Sequence, residues 1–257
     1  MSERSTGSGP SWDPAVADAD HRSFADFPSW AGCRVDRVVW DAYLGDLRRE
    51  RERTSEAAQR HAIDVAIRSA AFETGAVEGL YETTRGITHT IAVQAAAWDL
   101  ALEKPGPLGA RLFEAALRTY ELVLDAATHR TPVSEAWPRR VQEELCRPQE
   151  TYRVHTPLGW QDRPLVLGRY ETEPNHVVLP DGSRHAYAPV HRVADEMHRL
   201  VAQLGTPAFD AAHPVLQAAY AHHALTAVHP FADGNGRTAR ALASVYLYRA
   251  ARVPLLV

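Results

Sequence analysis

The chain has 257 residues and a net charge of −4, so it lacks the basic balance that is typical of nucleic-acid-binding proteins. Its hydrophobic fraction of 45% is enough for one sizeable core. It has no leader-type segment and no apolar run near about eighteen residues, and its two cysteines are far apart, which together predict a soluble cytoplasmic protein with free thiols.

Apolar residues at helical spacing predict a mainly α-helical protein. Residues 1–14 are rich in Ser, Gly and Pro, which predicts a flexible tail before one domain over 30–257. The helices are expected at 35–49, about 60–80, 87–101, 108–127, from 132 or 133 to 146, 189–204, 211–228 and from 235–237 onward. Pro138 is expected to kink or interrupt the fifth of them.

Residues 165–187 have a different pattern. Short runs of Val, Leu and Tyr flank the turn signal Pro180-Asp-Gly-Ser. The pattern predicts a β-hairpin inserted between helices, over about 165–188.

The stretch from His229 to Arg240 reads His-Pro-Phe-Ala-Asp-Gly-Asn-Gly-Arg-Thr-Ala-Arg. A helix is expected to begin near 235–237, and its free N–H groups would face a bound anion. Arg237 and Arg240 in its first turn oppose the helix dipole by roughly 0.3–1 kcal/mol each. A bound polyphosphate would explain both arginines, whereas a plain Gly/Asn turn between helices, the alternative reading, explains only the glycines.

Three side chains in this stretch suit phosphate chemistry. Asp233 is a candidate ligand for Mg²⁺, which is usually held by one or two carboxylates together with substrate phosphates. Asn235 is a candidate hydrogen-bond partner of a phosphate oxygen. His229 is the candidate general base, because the ordinary pKa of histidine lies near neutrality.

The stretch resembles the signature of the Fic (Fido) family, His-x-Phe-x-Asp/Glu-Gly-Asn-Gly-Arg-x-x-Arg. Its specified positions are filled by His229, Phe231, Asp233, Gly234, Asn235, Gly236, Arg237 and Arg240. Members of this family transfer the AMP part of ATP to a target hydroxyl with Mg²⁺. The Asp and the Gly-Asn-Gly favour nucleotidyl transfer over the phosphorylation of the Doc branch.

The resemblance implies a Fic-type helical bundle and a role for each matched residue. His229 would deprotonate the target hydroxyl, Asp233 would hold the metal, and Arg240 would grip the γ-phosphate. Phe231 would be a buried anchor for the loop. The remaining positions would complete the nucleotide site, namely Gly234, Asn235, Gly236 and Arg237.

A second motif lies in the helix expected at about 60–80. Thr74 and Glu78 are four residues apart and share a helix face, and Gly79 follows them. The segment resembles the inhibitory-helix motif of the Fic family, Ser/Thr-x-x-x-Glu-Gly/Asn. The resemblance implies that Glu78 pairs with Arg240, so that ATP binds only unproductively. The alternative is a solvated glutamate before a glycine that ends the helix.

The expected hairpin resembles the flap of the same family. Gly168, Tyr170, His176 and Val177 stand at comparable places, as do His185 and Tyr187. The implied role is to lay a target segment beside the active site by β-strand pairing. A hairpin without such a role is the alternative.

The combined hypothesis is an autoinhibited protein adenylyltransferase. Its partners would be ATP with Mg²⁺ and a protein target, with the chain itself and a homodimer among the candidates, and no nucleic acid or membrane. Two alternatives stay open. One is a phosphodiesterase that removes AMP from a modified protein, with Glu78 positioning water. The other is a non-catalytic module that binds a peptide or a nucleotide.

Overall fold

The computed structural model describes residues 18–80, 106–156, 159–174, 177–178 and 184–252. The tail expected at 1–14 and the helix expected at 87–101 lie outside the described residues. Among the residues that it describes, no helix is long and apolar enough to cross a membrane.

The described chain is mainly helical, which confirms the expected fold class. Two short 3-10 turns, Phe27–Ser29 and Val190–Arg192, accompany the α-helices. In chain order the helices are α1 (Arg37–Arg53), α2 (Glu56–Val77), α3 (Gly106–Thr128), α4 (Ala136–Cys146), α5 (Val193–Leu204), α6 (Pro207–Asp210), α7 (Pro214–Val228) and α8 (Asn235–Ala251).

Local signals set both ends of α2. The Ser55 side chain accepts a hydrogen bond from the main-chain N–H of Ala58 at the start of the helix. At its end Gly79 adopts a left-handed conformation with φ 67°. The N–H of Gly79 bonds to the carbonyl of Ala76, and the N–H of Leu80 bonds to that of Gly75. This Schellman pattern ends the helix just before Glu78 and fixes the main-chain position from which the Glu78 side chain extends.

The start of α4 differs from the expectation. The helix begins at Ala136 rather than at 132 or 133, so Pro138 lies in its first turn. The first-turn N–H groups of a helix have no intrahelical acceptor, and the missing N–H of proline therefore removes no hydrogen bond there. The expected interruption at Pro138 is wrong, and α4 continues to Cys146.

Two small antiparallel hairpins lie between α4 and α5. The first pairs β1 (Thr151–Thr156) with β2 (Gly159–Pro164), and the second pairs β3 (Val177–Val178) with β4 (Arg184–His185). The expected strand at 165–170 is wrong, because that segment has no strand and follows β2 directly. The main chain of Gly168 instead bonds to side chains, since its N–H donates to Gln142 and its carbonyl accepts from Arg139.

The C-terminal helix α8 is the centre of the core. Fourteen of its seventeen residues are buried, a pattern that is typical of a helix surrounded on all sides. Ala241, Val245 and Tyr248 join an apolar cluster with α2, α3 and α4. Leu242, Tyr246 and other residues of α8 join a second cluster with α5, α7 and the segment before α1. The N-terminus of α8 is thereby held in a fixed place.

Candidate active site

The loop between α7 and α8 is closed on itself by Asn235. Its Oδ1 accepts a hydrogen bond from the N–H of Phe231 at 2.9 Å, and its Nδ2 donates to the carbonyl of Phe231 at 2.6 Å. The same Nδ2 lies 3.2 Å from Nδ1 of His229. Asn235 is 3% exposed. The structure therefore places its amide inside the loop, where it shapes the turn, rather than in a position to contact phosphate.

His229 ends α7 in a left-handed conformation, with φ 53° and ψ 58°. Its N–H still donates to the carbonyl of Leu225, so the ring leaves the helix at a fixed point. Burial lowers the pKa of His229 to about 4, although the nearby Asp233 carboxylate acts in the opposite direction. The imidazole is therefore neutral at pH 7 and can accept a proton.

The tautomer decides which nitrogen of His229 accepts that proton. With the hydrogen on Nε2, Nδ1 accepts from Asn235. With the hydrogen on Nδ1, the lone pair of Nε2 becomes the base. A hydroxyl that approaches Nε2 needs the second tautomer.

Asp233 has an ordered carboxylate at the turn of the loop. Its Oδ1 accepts from the N–H of Gly234 at 2.6 Å and from Arg237 at 3.3 Å. Its Oδ2 accepts from Gln149 at 2.8 Å. The side chain is 32% exposed, so a lone pair of Oδ2 can still reach a ligand. The described residues contain no cluster of three or more His, Cys, Asp or Glu side chains that could enclose a metal.

The two arginines of the loop are buried in different surroundings. Arg237 is 3% exposed, and its Nε has no hydrogen-bond partner among the described residues. Arg240 is 8% exposed and has several partners, which lie at the end of α2. A buried guanidinium with an unsatisfied N–H at a helix N-terminus is well suited to bind an anion.

The end of α2 occupies the guanidinium of Arg240. Nε donates to Oγ1 of Thr74 at 2.9 Å, and Nη2 donates to the carbonyl of Thr74 at 3.3 Å. Nη2 also pairs with Oε1 of Glu78 at 2.5 Å. A β-carbon at Gly236 would lie 2.6 Å from that same Oε1, so Glu78 extends over the first turn of α8. The expected contact between Glu78 and Arg240 is present, and Gly79 ends the helix that carries it.

Phe231 is fully buried, as expected for the anchor of the loop. Tyr170 packs on it, with ring centroids 5.9 Å apart. Tyr170 thus packs against the loop and Gly168 bonds to α4, and neither lies on a strand. Val177 is on β3, whereas His176 lies outside the described residues. Of the expected flap residues that the structure describes, Val177 lies on β3 and His185 on β4, whereas Gly168, Tyr170 and Tyr187 lie on no strand.

Three residues that support the loop were not identified from the sequence. Gln142 is fully buried, accepts from the N–H of Gly168 at 2.7 Å and donates to the carbonyl of Asp233 at 3.1 Å. Gln149 holds the Asp233 carboxylate, and the buried Cys146 packs beneath Gly234. The available signal was a glutamine next to Val141 in an otherwise apolar helix face, because an uncharged polar residue at such a position is uncommon.

Gly234 is the position where this packing can be tested. It has φ 86°, and an added β-carbon would lie 2.6 Å from Sγ of Cys146. Gly234→Ala is expected to lower the free energy of unfolding by about 2–4 kcal/mol, from backbone strain and overpacking together. Thermal or chemical denaturation measures the change.

A double-mutant cycle separates the two causes. Cys146→Ala removes the clashing sulfur, so the double variant should be less destabilised than the sum of the single variants. Gly45→Ala in α1 is the matched control, because its β-carbon would meet nothing closer than 3.6 Å. An unchanged stability of Gly234→Ala would contradict the described loop.

Comparison with known proteins agrees with this geometry. Residues 134–247, which include the whole loop, match the model of the Fic/DOC family. This part of the chain is therefore similar to a Fic/DOC-family domain. A Fic domain containing signaling protein from Bacteroides thetaiotaomicron has a similar fold, with a TM-score of 0.65 and 21% identity over 84% of this chain and 75% of that chain. Fic-1 from C. elegans gives a TM-score of 0.56 and 20% identity over 84% and 58%.

Curated relatives of this chain match over shorter stretches. "Protein adenylyltransferase Fic" of Drosophila persimilis is 44% identical over 61 residues, which are 24% of this chain and 12% of that protein. The protein of the same name from Aedes aegypti is 51% identical over 45 residues, which are 18% and 9%. The chain therefore spans only a small part of these relatives. Thr74 and Glu78 lie outside the range that matches the family model.

Proposed function

We propose that this chain transfers the AMP part of ATP to a hydroxyl side chain of a protein. The observation that carries the proposal is the loop from His229 to Arg240, which holds a neutral imidazole and a buried Arg237 at one helix N-terminus. The Nε–H of Arg237 has no hydrogen-bond partner among the described residues. A base and a polyanion site belong together in a reaction between a hydroxyl and a nucleoside triphosphate. Relatives named protein adenylyltransferase support the same reaction.

The proposed step balances as a substitution at the α-phosphorus. His229 takes the proton of the target hydroxyl on Nε2, and the hydroxyl oxygen forms a bond to the α-phosphorus. The bond from that phosphorus to the oxygen bridging to the β-phosphate breaks, and pyrophosphate leaves. Arg237 and the N–H groups at the start of α8 would offset the charge of the phosphates. Asn235 would keep the loop in the shape that this requires.

Mg²⁺ fits the loop through Asp233. The carboxylate has one solvent-accessible side, and Oδ2 retains an acceptor site beside the bond from Gln149. Mg²⁺ usually keeps several waters and takes the rest of its ligands from one or two carboxylates and the substrate phosphates. When bound, the ion would neutralise phosphate charge and polarise the α-phosphate. The chain would contribute Asp233 as its only ligand from this loop.

Glu78 supports an autoinhibited resting state. It occupies one side of the Arg240 guanidinium, and Thr74 occupies another, so Arg240 cannot at the same time hold a γ-phosphate in the same geometry. ATP would then bind with its phosphates in an unproductive arrangement. The inhibition would be relieved when the end of α2 moves away from α8.

Labelled nucleotides test the reaction type. We expect the Glu78→Gly variant, incubated with Mg²⁺ and ATP, to gain covalent label from α-labelled ATP and none from γ-labelled ATP. The acceptor in this assay is the chain itself or an added cell extract. Label from the γ position alone would show phosphoryl transfer and overturn the proposal, as would the absence of label from both.

The position of Glu78 also favours a second candidate, the removal of AMP from a modified protein. Its carboxylate extends over Gly236, close to the place where the phosphates would bind, and there it could orient a water molecule. A protein carrying labelled AMP would then lose its label with the wild-type chain and keep it with Glu78→Gly. Loss of the label with Glu78→Gly and its retention with the wild type would exclude this candidate.

A further inference from the structure

Both ends of the flap segment are attached to the catalytic loop. The N–H of Glu171 donates to the carbonyl of Pro230 at 3.0 Å, and the N–H of Ala188 donates to the carbonyl of Val228 at 3.3 Å. The chain thus leaves the loop on one side of His229 and returns on the other side. Between these two bonds it contains the hairpin of β3 and β4. The segment that carries the hairpin is therefore hydrogen-bonded to the main chain on both sides of His229.

The returning end places an aromatic ring on the imidazole. The rings of Tyr187 and His229 are stacked, with centroids 3.9 Å apart and an interplanar angle of 12°. His185, at the end of β4, packs edge-on against the ring of Tyr187. Their centroids are 4.7 Å apart and the interplanar angle is 79°. The hydrogen bond of Ala188 follows immediately in sequence and fixes the main chain beside Tyr187.

We propose that Tyr187 is the positioning residue that holds the ring of His229 in its working orientation and shields one face of it from water. The inference rests on the proposed role of His229 as the base. Asn235 lies at the edge of the ring, 3.2 Å from Nδ1, and Tyr187 covers a face. Together they restrict rotation of the ring about its bond to the β-carbon, which an edge contact alone would not do.

The stack also has an electrostatic consequence. The charged and titratable groups that act on His229 are Asp233, which favours the imidazolium, and His185, which disfavours it. Burial outweighs both, and the tyrosine ring covers one face of the imidazole. Tyr187 is itself uncharged at neutral pH, since burial raises the pKa of its phenol. Removing the ring would therefore expose His229 to water while Asp233 and His185 stay in place.

Histidine NMR tests this without any assay of transfer. In the full chain labelled at histidine Cε1, the His229 signal is assigned by its loss in His229→Ala, and its pKa is read from a pH titration. We expect a value well below 6.5 in the wild type and in Tyr187→Phe, which keeps the ring. In Tyr187→Ala the value should rise toward 6.5, because water reaches the imidazole. Equal values in the wild type and Tyr187→Ala would overturn the inference.

A second measurement remains valid even if Tyr187→Ala does not fold. A stacked ring shifts the carbon-bound protons of His229 upfield through its ring current, so the wild-type spectrum alone reports the contact. An ordinary chemical shift for these protons in the wild type would overturn the stack. The signals of His129 and His198, whose ring nitrogens lie beside Asp125 and Glu135, serve as the internal reference for an intact fold in each variant.

Kinetics then connect the contact with the proposed reaction. In the Glu78→Gly background, Tyr187→Ala is expected to lower kcat by about tenfold to a hundredfold, with a smaller effect on KM for ATP. The acid limb of its pH–rate profile should move to higher pH, because a base with a raised pKa becomes protonated sooner. Tyr187→Phe, which keeps the ring, should have the kcat and the acid limb of the Glu78→Gly parent. If the NMR result holds but no variant transfers label, the stack is correct and the proposed function is wrong.

Discussion

Glu78→Gly is expected to raise the rate of label transfer from α-labelled ATP by about 5- to 150-fold, the range that a coupling free energy of about 1–3 kcal/mol gives. The reason is the guanidinium of Arg240, whose Nη2 is paired with Glu78. Removing the carboxylate frees this side of the arginine for the γ-phosphate. The measurement is the initial rate of covalent labelling at saturating Mg²⁺ and ATP, for the variant and the wild type side by side.

The position of Glu78 makes the substitution informative. Glu78 follows the last residue of α2 and precedes the left-handed Gly79, so a glycine there lies outside the helix interior. Inside a helix a glycine destabilises by roughly 0.8–1.0 kcal/mol relative to alanine. Glu73→Gly, within α2 and one residue before Thr74, is therefore the matched control. It loosens the helix more than Glu78→Gly does and leaves the Glu78 carboxylate in place.

The control separates release of Arg240 from general loosening of α2. If loosening were the cause, Glu73→Gly would activate at least as strongly as Glu78→Gly. Glu78→Gln is expected to lie between the wild type and Glu78→Gly, because the amide keeps a hydrogen bond to Arg240 but not the charge. Equal rates for the wild type and Glu78→Gly would remove the inhibitory role of Glu78.

The parts of the site that lie close together in sequence were predicted well. The helix that follows Gly234 begins at Asn235, within the expected range, because glycines and the apolar period of α8 are local signals. Phe231 is buried, and Glu78 meets Arg240, which family resemblance implied and spacing alone would not reveal. The α-helical class followed from the same local periodicity.

Apart from the contact between Glu78 and Arg240, the parts that depend on tertiary contacts were missed or placed differently. Gln142 and Gln149 support Asp233 from a distant part of the chain, and no local pattern connects them. Asn235 was expected to face phosphate, yet its Nδ2 donates to the carbonyl of Phe231 and lies 3.2 Å from Nδ1 of His229. The Tyr187 stack likewise depends on where the hairpin returns to the loop. In each case the sequence gives the type of the side chain but does not show which residue it contacts.

The strands illustrate the same limit. Val166 and Tyr170 have high strand propensity, but residues 165–170 form no strand, because Gly168 is held by the side chains of α4. The strands β1 and β2 are richer in polar and charged residues, and their pairing depends on each other rather than on local composition. Strand propensity depends strongly on neighbouring strands, which a single sequence does not display.

His229→Ala is expected to lower kcat for label transfer by about 10²- to 10⁴-fold in the Glu78→Gly background, the usual contribution of a general base. The imidazole would act on the target hydroxyl and not on the phosphates, so the affinity for Mg²⁺ and ATP should stay near that of the parent variant. Calorimetry or fluorescence titration of ATP binding and a labelling time course measure the two quantities separately.

His223→Ala is the matched control for this loss. His223 is an exposed histidine on the same helix, it packs on Trp30, and it lies away from the loop. Its replacement should leave the labelling rate unchanged. The pH dependence gives an independent check, because a base with a pKa of about 4 keeps the rate constant as the pH falls from neutral until it approaches that value. A full labelling rate in His229→Ala would exclude His229 as the base, and an acid limb near pH 6.5 would show that the imidazole is not buried as described.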